Sequence, residues 1–362
     1  MAAVVASLMI GPVLVGSALA QDIDPALKDG WDFMQANMPG VPYSVLQDAC
    51  KEADVMIYHG TWADAQQAQI DGFKKHFPCI NVETYSDSIS VMRQRFMSEE
   101  NAGRHVADIV QDSDTSSLDA DQKAGLLMNY TISNDKNFPD GNKSPGIWYP
   151  LRIALVGIAW NTDLVSDDDA KILQTWQGAL DPRWAGKAAL SDPGSKGVAY
   201  QHLWALYKMY GEDFIKQLGA QHPRIIAGAN NSISSLASGD VAVVLNASET
   251  GLLPLWIKGA PIKWSLPSPG VGPLSAQSIV ATAPHPNAAK LYQEYAFTQE
   301  GYGLWNQFGG APATTVYPDT RDVAKEDWYK MPDSLFNIDP VQSTADFDKL
   351  IADFNQYIGT SR

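Results

Sequence analysis

VMIYHGTWADAQQAQIDGFKKHFPCINVETY, residues 55–85, holds the reading that decides the fold. Val55-Met56-Ile57-Tyr58 and Ile80-Asn81-Val82-Glu83-Thr84-Tyr85 are short runs of the β-branched and aromatic residues that strands favour. Trp62–Phe77 between them is helical in character, so the stretch reads as a β-α-β unit with its strands parallel and adjacent. Cys50 and Cys79, the only two cysteines, sit at or just before the starts of these strands. Both then fall at the same end of one sheet. In an exported chain that predicts a disulfide closing a loop of about 30 residues and contributing roughly 3–4 kcal/mol. Two buried free thiols are the alternative, because spacing alone does not give geometry.

The alternation continues outward from this unit. A helix carrying Val91, Arg93, Arg95, Phe96 and Met97 precedes a strand over Val106–Val110 and a helix from about Ser117 to Met128. After a loop rich in Gly, Pro and Asn (Asn134–Gly146), Ile153–Trp160 reads as one strand. A second set follows: helix Leu173–Leu180, strand Lys187–Leu190, helices Gly197–Tyr210 and Phe214–Ala220, strand Ile225-Ile226, a helix after Asn231 and strand Val241–Leu245. Strands alternating with helices predict an α/β fold of open, largely parallel sheets.

Residues 1–20 carry no charged side chain and end in Ser17-Ala18-Leu19-Ala20, the small-residue pattern of a signal-peptide cleavage site before Gln21. A membrane-spanning helix is the competing reading, but the stretch is barely long enough and Gly11-Pro12 interrupts it. The expected destination is the periplasm. The remaining length of about 340 residues suffices for two domains, each with its own core. A net charge of −15 leaves no basic field for nucleic acid or an anionic membrane surface.

In open α/β sheets, ligands sit beyond the strand C-termini and against helix N-termini. That rule selects Tyr58-His59-Gly60-Thr61-Trp62, Tyr85-Ser86-Asp87-Ser88, Asp112–Ser116, Ser191–Gly197 and Asn246-Ala247-Ser248-Glu249. Hydroxyl and amide groups dominate these loops, which suits hydrogen bonding to a polar ligand better than covalent catalysis. HExxH, GxSxG, GxxxxGK[ST] and a helix-opening GxGxxG are all missing, and the six histidines share no metal-ligand spacing. His59 alone ends a strand on the cleft side, either as a ligand contact or as a hydrogen-bonded loop residue.

Several stretches, in order, carry a family resemblance. They are Arg104–Val110, Trp148-Tyr149-Pro150 with Val156–Thr162, Trp176 with Leu180–Lys187, and Ala283–Leu291 with Thr298–Gly301. Together they resemble the extracellular solute-binding proteins of ABC importers, in the type II fold branch that includes the ferric-ion binders, over nearly all of residues 54–358. Independently of that likeness, Ala288, Leu291, Tyr292 and Tyr295 recur at i, i+3, i+4 and i+7 and predict a helix with one buried face.

The resemblance implies two α/β lobes joined by two crossing strands, near Leu151–Asn161 and Ile262–Ser275, with hinge closure around the ligand. Residues 21–150 plus 266–305 would form the first lobe and 151–265 plus 306–362 the second, with the Phe347–Tyr357 helix packed on the latter. It also implies a monomer without cofactor or enzymatic activity, whose partners are a small solute and a membrane permease. Ferric binders of this branch offer a consecutive Tyr pair where this chain has Asn246-Ala247-Ser248. A neutral amide and hydroxyl suit an organic solute better than iron.

Gly194-Ser195-Lys196-Gly197 stands where the branch places an anion on a helix N-terminus, and free N–H groups there favour a carboxylate, phosphate or phosphonate. Ser195 as a plain helix cap is the alternative. The expected ligand set is therefore Tyr58, His59, Thr61, Trp62, Tyr85, Ser86, Asp114, Thr115, Gly194, Ser195, Lys196, Gly197, Asn246 and Ser248, with no metal site. The competing functions are a ferric-ion binder using His59, Tyr58 or Tyr200, and an enzyme on this fold, for which no nucleophile appears.

Overall fold

Apolar strand runs alternate with amphipathic helices, and the computed structural model, which describes residues 23–60, 62–195 and 197–358, sorts them into two lobes on two sheets. The leader expected over residues 1–20 lies outside the described residues, as do Thr61 and Lys196. No described helix is long and apolar enough to cross a membrane.

The chain opens with α1 (Lys28–Asn37) and α2 (Tyr43–Glu52), then β1 (Asp54–His59), α3 (Ala63–His76), β2 (Asn81–Ser86), α4 (Ile89–Asn101), β3 (Ile109–Asp112) and α5 (Thr115–Lys123). Strands β4 (Tyr149–Ile153) and β5 (Val156–Asn161) lead to α6 (Asp167–Ala170), β6 (Ala188–Ser191), α7 (Gly197–Tyr210), α8 (Glu212–Ala220), β7 (Arg224–Ile226) and α9 (Ala229–Ala237). Last come β8 (Val243–Ser248), α10 (Glu249–Ile257), β9 (Ile262–Ser265), β10 (Leu274–Ile279), α11 (Pro286–Ala296), α12 (Gln299–Gly309) and α13 (Pro340–Tyr357).

One five-stranded sheet has the order β2-β1-β3-β10-β4 and the other β7-β6-β8-β5-β9. Strands β1, β2 and β3 are mutually parallel, with Asp54 opposite Asn81 and His59 opposite Ser86, while β10 runs antiparallel to both β3 and β4. The second sheet repeats the plan: β6 is parallel to β7 and β8, and β5 is antiparallel to β8 and β9. The sheets are thus mixed where largely parallel ones were expected. The cause is the double crossing. A strand arriving from the other lobe enters at the edge where the parallel strands end, so it must run against them.

The expected single strand over Ile153–Trp160 is really two. β4 ends in the first sheet and β5 begins in the second, and Ala154-Leu155 bridges them. The return crossing lies alongside: the Ala154 amide donates to the Pro273 carbonyl at 2.9 Å and the Val156 amide to that of Val271 at 2.8 Å. Gly272 makes this approach possible, since a Cβ there would stand 2.5 Å from the Ala154 oxygen.

Each lobe has its own core. Phe73, Phe77, Tyr149, Tyr292, Tyr295 and Trp305 are fully buried in the first. The α11 stripe Ala288, Leu291, Tyr292 and Tyr295 is buried as its periodicity requires. Trp176, Leu203, Trp204 and Ile215 fill one face of the second sheet, where Leu350 and Phe354 of α13 close the core. Cys50 and Cys79 form a disulfide with a Cα–Cα distance of 5.3 Å, at the N-terminal edge of the β1–β2 pair, away from the strand C-termini.

His202 of α7 is 1% exposed and packs edge-on against Trp176, 4.9 Å between centroids. Burial without a charged partner lowers its pKa to about 3, well below the unfolded value. Between that value and about 6.5 the unfolded chain binds the extra proton, so stability falls as pH drops through this window.

Two outcomes follow from this packing. The native, unreduced protein should resist thiol labelling, and reduction should lower its unfolding free energy in urea by about 3–4 kcal/mol; full labelling without reductant would refute the bridge. Below about pH 6.5, His202 should steepen the loss of stability by about 1.4 kcal/mol per pH unit, and His202→Leu should remove that share from urea titrations between pH 7 and 4. An unchanged slope in the variant would mean that the ring protonates freely in the folded state.

Candidate functional site

At the first lobe's edge of the cleft, β1 ends in His59, whose Nδ1 lies 2.6 Å from the Gly60 carbonyl oxygen; burial lowers its pKa. The same carbonyl accepts the Ser86 hydroxyl at 2.9 Å, tying the ends of β1 and β2 together. Tyr58 points the other way, into the core. Its hydroxyl donates to Glu99 at 2.7 Å, and burial followed by that carboxylate holds it protonated far above its ordinary pKa. Tyr85 packs against Tyr58 at 5.1 Å and lies under the Arg95 guanidinium, 4.1 Å from the ring centroid. The aromatic pair at these strand ends therefore shields the lobe's interior.

Strand β3 ends in Asp112, which accepts the Asp114 amide at 2.8 Å and an Arg93 guanidinium bond at 3.0 Å. Burial pushes Asp112 up to about 6, against the pull of that amide and of Arg93. Asp114 is spent as the N-cap of α5, accepting the Ser116 amide at 3.0 Å. Thr115 opens that helix.

Across the cleft, Asn246 is a strut. Its Oδ1 accepts the Ser191 amide at 2.8 Å and its Nδ2 donates to the Ser191 carbonyl at 3.0 Å, continuing the β6–β8 ladder by side chain where backbone pairing stops. Both ends of the amide are used, and Asn246 is buried. The following turn, Pro193–Ser195, gives its Gly194 amide to Asp192 Oδ1 at 2.9 Å, so that donor is already taken. Gly197 starts α7 with φ +64°, a left-handed conformation suited to glycine. Ser248 ends β8, and its hydroxyl lies 2.9 Å from that of Thr250. Tyr200 is buried, with its hydroxyl donating to the Ser343 carbonyl at 2.5 Å.

A cavity of about 710 Å³ opens between the lobes, lined among others by Trp62, Ala63, Arg152, Asn230, Glu249 and Thr250. Three helix N-termini reach it: α3 with Trp62 as N-cap, α9 with Gly228 and α10 with Ser248, none capped by a side chain. The Glu249 amide donates to the Leu155 carbonyl at 2.9 Å, and the dipoles of the three helices favour an anion nearby. Arg152 Nε donates to Ser275 Oγ at 3.1 Å, and its guanidinium lies 5.0 Å from the Trp62 ring centroid and 5.8 Å from that of Trp305. Burial lowers Arg152 to about 10, which leaves it charged at neutral pH.

Asp114 and Thr115 face a different cavity of about 480 Å³, with Trp148, Gln201 and Gly272. The expected ligand set is thus not one cluster: Trp62 lines the first cavity, Asp114 and Thr115 the second, while Tyr58 and Asn246 are structural. Sequence reasoning missed Arg152, Asn230 and Arg321 as lining residues, and it reached Glu249 only as the end of the Asn246–Glu249 loop. Arg152 sits within a crossing strand and Arg321 in the late loop, where a rule about strand C-terminal loops does not look. The ferric alternative drew on Tyr58, His59 and Tyr200, whose polar groups are engaged separately. Among the described residues no three His, Cys, Asp or Glu side chains are grouped to hold a metal.

A model of the bacterial extracellular solute-binding protein family matches residues 104–333, more than half of the chain. No curated protein matches it in sequence. Among solved structures, the chain is similar to a putative extracellular solute-binding protein from Bordetella parapertussis, with a TM-score of 0.71 and 14% identity, covering 84% of this chain and 99% of that one. It is also similar to a Trichodesmium protein (IdiA, FutA) in complex with iron and citrate, at 0.67 and 18%, covering 85% and 100%. The periplasmic binding protein AfuA from Actinobacillus pleuropneumoniae, with fructose-6-phosphate bound, follows at 0.58 and 18%, covering 85% and 99%. At such identities the likeness is one of fold.

Asn246→Ala separates a strut from a ligand contact. Leaving the Ser191 amide and carbonyl unpaired should cost about 2–4 kcal/mol in urea unfolding of the unliganded protein. A loss below about 0.5 kcal/mol would mean that the amide does not hold β6 to β8.

Proposed function

Because the chain belongs to the bacterial extracellular solute-binding protein family, we propose that it is the capture subunit of an ABC importer, holding a small polar, anionic organic solute between its lobes. The class meant is a carboxylate, phosphate or phosphonate. The observation that carries the reading is the cationic Arg152 at a cavity where three uncapped helix N-termini converge. An anion there is stabilised by the guanidinium and by backbone N–H groups together. Trp62, beside Arg152, offers an organic body a face to stack on.

We take residues 21–150 plus 266–305 as the first lobe and 151–265 plus 306–362 as the second, a division that the two sheets support except that β4 of the first sheet runs on to Ile153. In this reading the protein is a periplasmic monomer, released by cleavage after residue 20, and it delivers its solute to a membrane permease. The capture role requires no reacting group, and the polar side chains of the expected loops are occupied in hydrogen bonds that hold the strand ends.

A thermal-shift screen of the mature protein over carboxylates, phosphonates, sugar phosphates, polyamines and Fe(III) tests this. A ligand at a hundred times its Kd adds about 2.7 kcal/mol to the native state, and an organic anion should be the one that raises Tm. Arg152→Met should weaken that anion about tenfold to a hundredfold. A Tm rise with Fe(III) alone, accompanied by an intense visible absorption band, would replace this reading by the ferric one.

A further inference from the structure

Ile257 of α10 and Phe308 of α12 are 64% and 61% exposed, the two most exposed of the large apolar side chains among the described residues. A lone apolar residue on a surface is ordinary. These two are not scattered, since both line the interlobe cavity that holds Arg152. Phe308 comes from the helix packed on α3, and Ile257 from the helix that follows β8. Leu253 and Pro254 of α10 and Trp62 at the start of α3 join them on the cavity walls.

The cation and the apolar wall are ordered in depth. Glu249 opens α10 fully buried, and its amide bond to the Leu155 carbonyl of the crossing fixes that end of the helix inside. A Cβ on Gly310 would stand 3.1 Å from Arg152 Cδ and 3.5 Å from Thr250 Cγ2, so the Arg152 stem lies at this inner end. From Thr250, the residues Leu253, Pro254 and Ile257 follow at helical spacing along one face, about 10 Å of helix. Exposure rises along that face, from 7% at Leu253 to 64% at Ile257. Charge therefore sits at the inner end and apolar surface toward the mouth. The complement of that pattern is an acid whose other end is hydrocarbon. A sugar phosphate or hydroxy acid would set hydroxyl groups against Leu253, Ile257 and Phe308, whose side chains return no hydrogen bonds.

We infer that the captured solute is an acid with an apolar body, an aryl or alkyl carboxylate, phosphate or phosphonate, whose hydrocarbon lies against Ile257 and Phe308 while Arg152 takes the acid group. This rests on the anionic-solute reading above and narrows it. Trp62, its ring centroid 5.0 Å from the guanidinium, gives the carbon atoms next to the acid a face to pack on.

Calorimetric titration of the intact mature protein with matched pairs tests the inference: phenylacetate against acetate, hexanoate against propanoate, and benzylphosphonate against methylphosphonate. Malate and glucose-6-phosphate serve as anions with a polar body, and benzyl alcohol as a body without an acid. At least one apolar-bodied acid should bind about tenfold or more tightly than its short partner and than either polar-bodied anion. Phe308→Ser and Ile257→Ser, both at exposed positions, should each shrink that ratio by about threefold or more, whereas Arg152→Met should weaken both members of the pair alike. Malate or glucose-6-phosphate binding as tightly as the apolar acids, or a ratio undiminished in both Ser variants, would overturn the inference and leave the anionic reading intact. Equal weakening of both members in the Ser variants would do the same, since the two side chains would then meet each other instead of the solute. Benzyl alcohol binding as tightly as phenylacetate would overturn the anionic reading and this narrowing with it. If nothing in the panel binds, both readings fall.

Discussion

Everything in this molecule hangs on two backbone segments that cross between the lobes while hydrogen-bonded to one another. Ala154 and Val156 donate to Pro273 and Val271, and the contact is close enough that only glycine fits at position 272. This pairing places the C-terminal edges of both sheets face to face, which is why the cavity exists. It also sets strand direction: β5 and β10 enter their sheets from the cleft side and must run antiparallel to the strands already there. Sheet polarity and ligand geometry thus share one cause.

Much of the fold was legible because its signals are local. Strand runs of four to six residues, the disulfide geometry implied by a β-α-β unit and the buried stripe of α11 follow from residue type and spacing, while the crossing regions follow from the family resemblance. The break inside Ile153–Trp160 was not legible, since the same apolar run continues on both sides of Ala154-Leu155 and only the presence of two sheets splits it. The site was read less well. Tyr58 sits one residue from a strand end, and whether it points into the core or the cleft depends on the pleat and on Glu99, forty-one residues away. Asn246 looks like a ligand donor until Ser191 is seen to occupy both ends of its amide.

The contrast between Asn246 and Glu249, three residues apart, illustrates how such a cleft divides its polar groups. One is fully satisfied and holds the parallel ladder together. The other is equally buried and is held in an ion pair, with Arg321 Nη1 3.2 Å from its Oε1. Both kinds of pairing, hydrogen bond and ion pair, keep the polar groups of the wall fixed. Around them the helix N-termini supply a background field that no single residue type announces in sequence, because it arises from backbone geometry.

The chain's ends offer a different kind of consequence. Helix α1 packs with α2 and α3 in the first lobe, whereas α13 packs with α7 and α8 in the second. Among the described residues, the double crossing thus leaves the first and last helices, α1 and α13, on opposite bodies. A donor–acceptor dye pair placed on these outer helices would convert any change in the angle between the lobes into an energy-transfer signal, with both labels away from the cavity. The topology makes the polypeptide a ready-made optical ruler for the relative position of its two sheets.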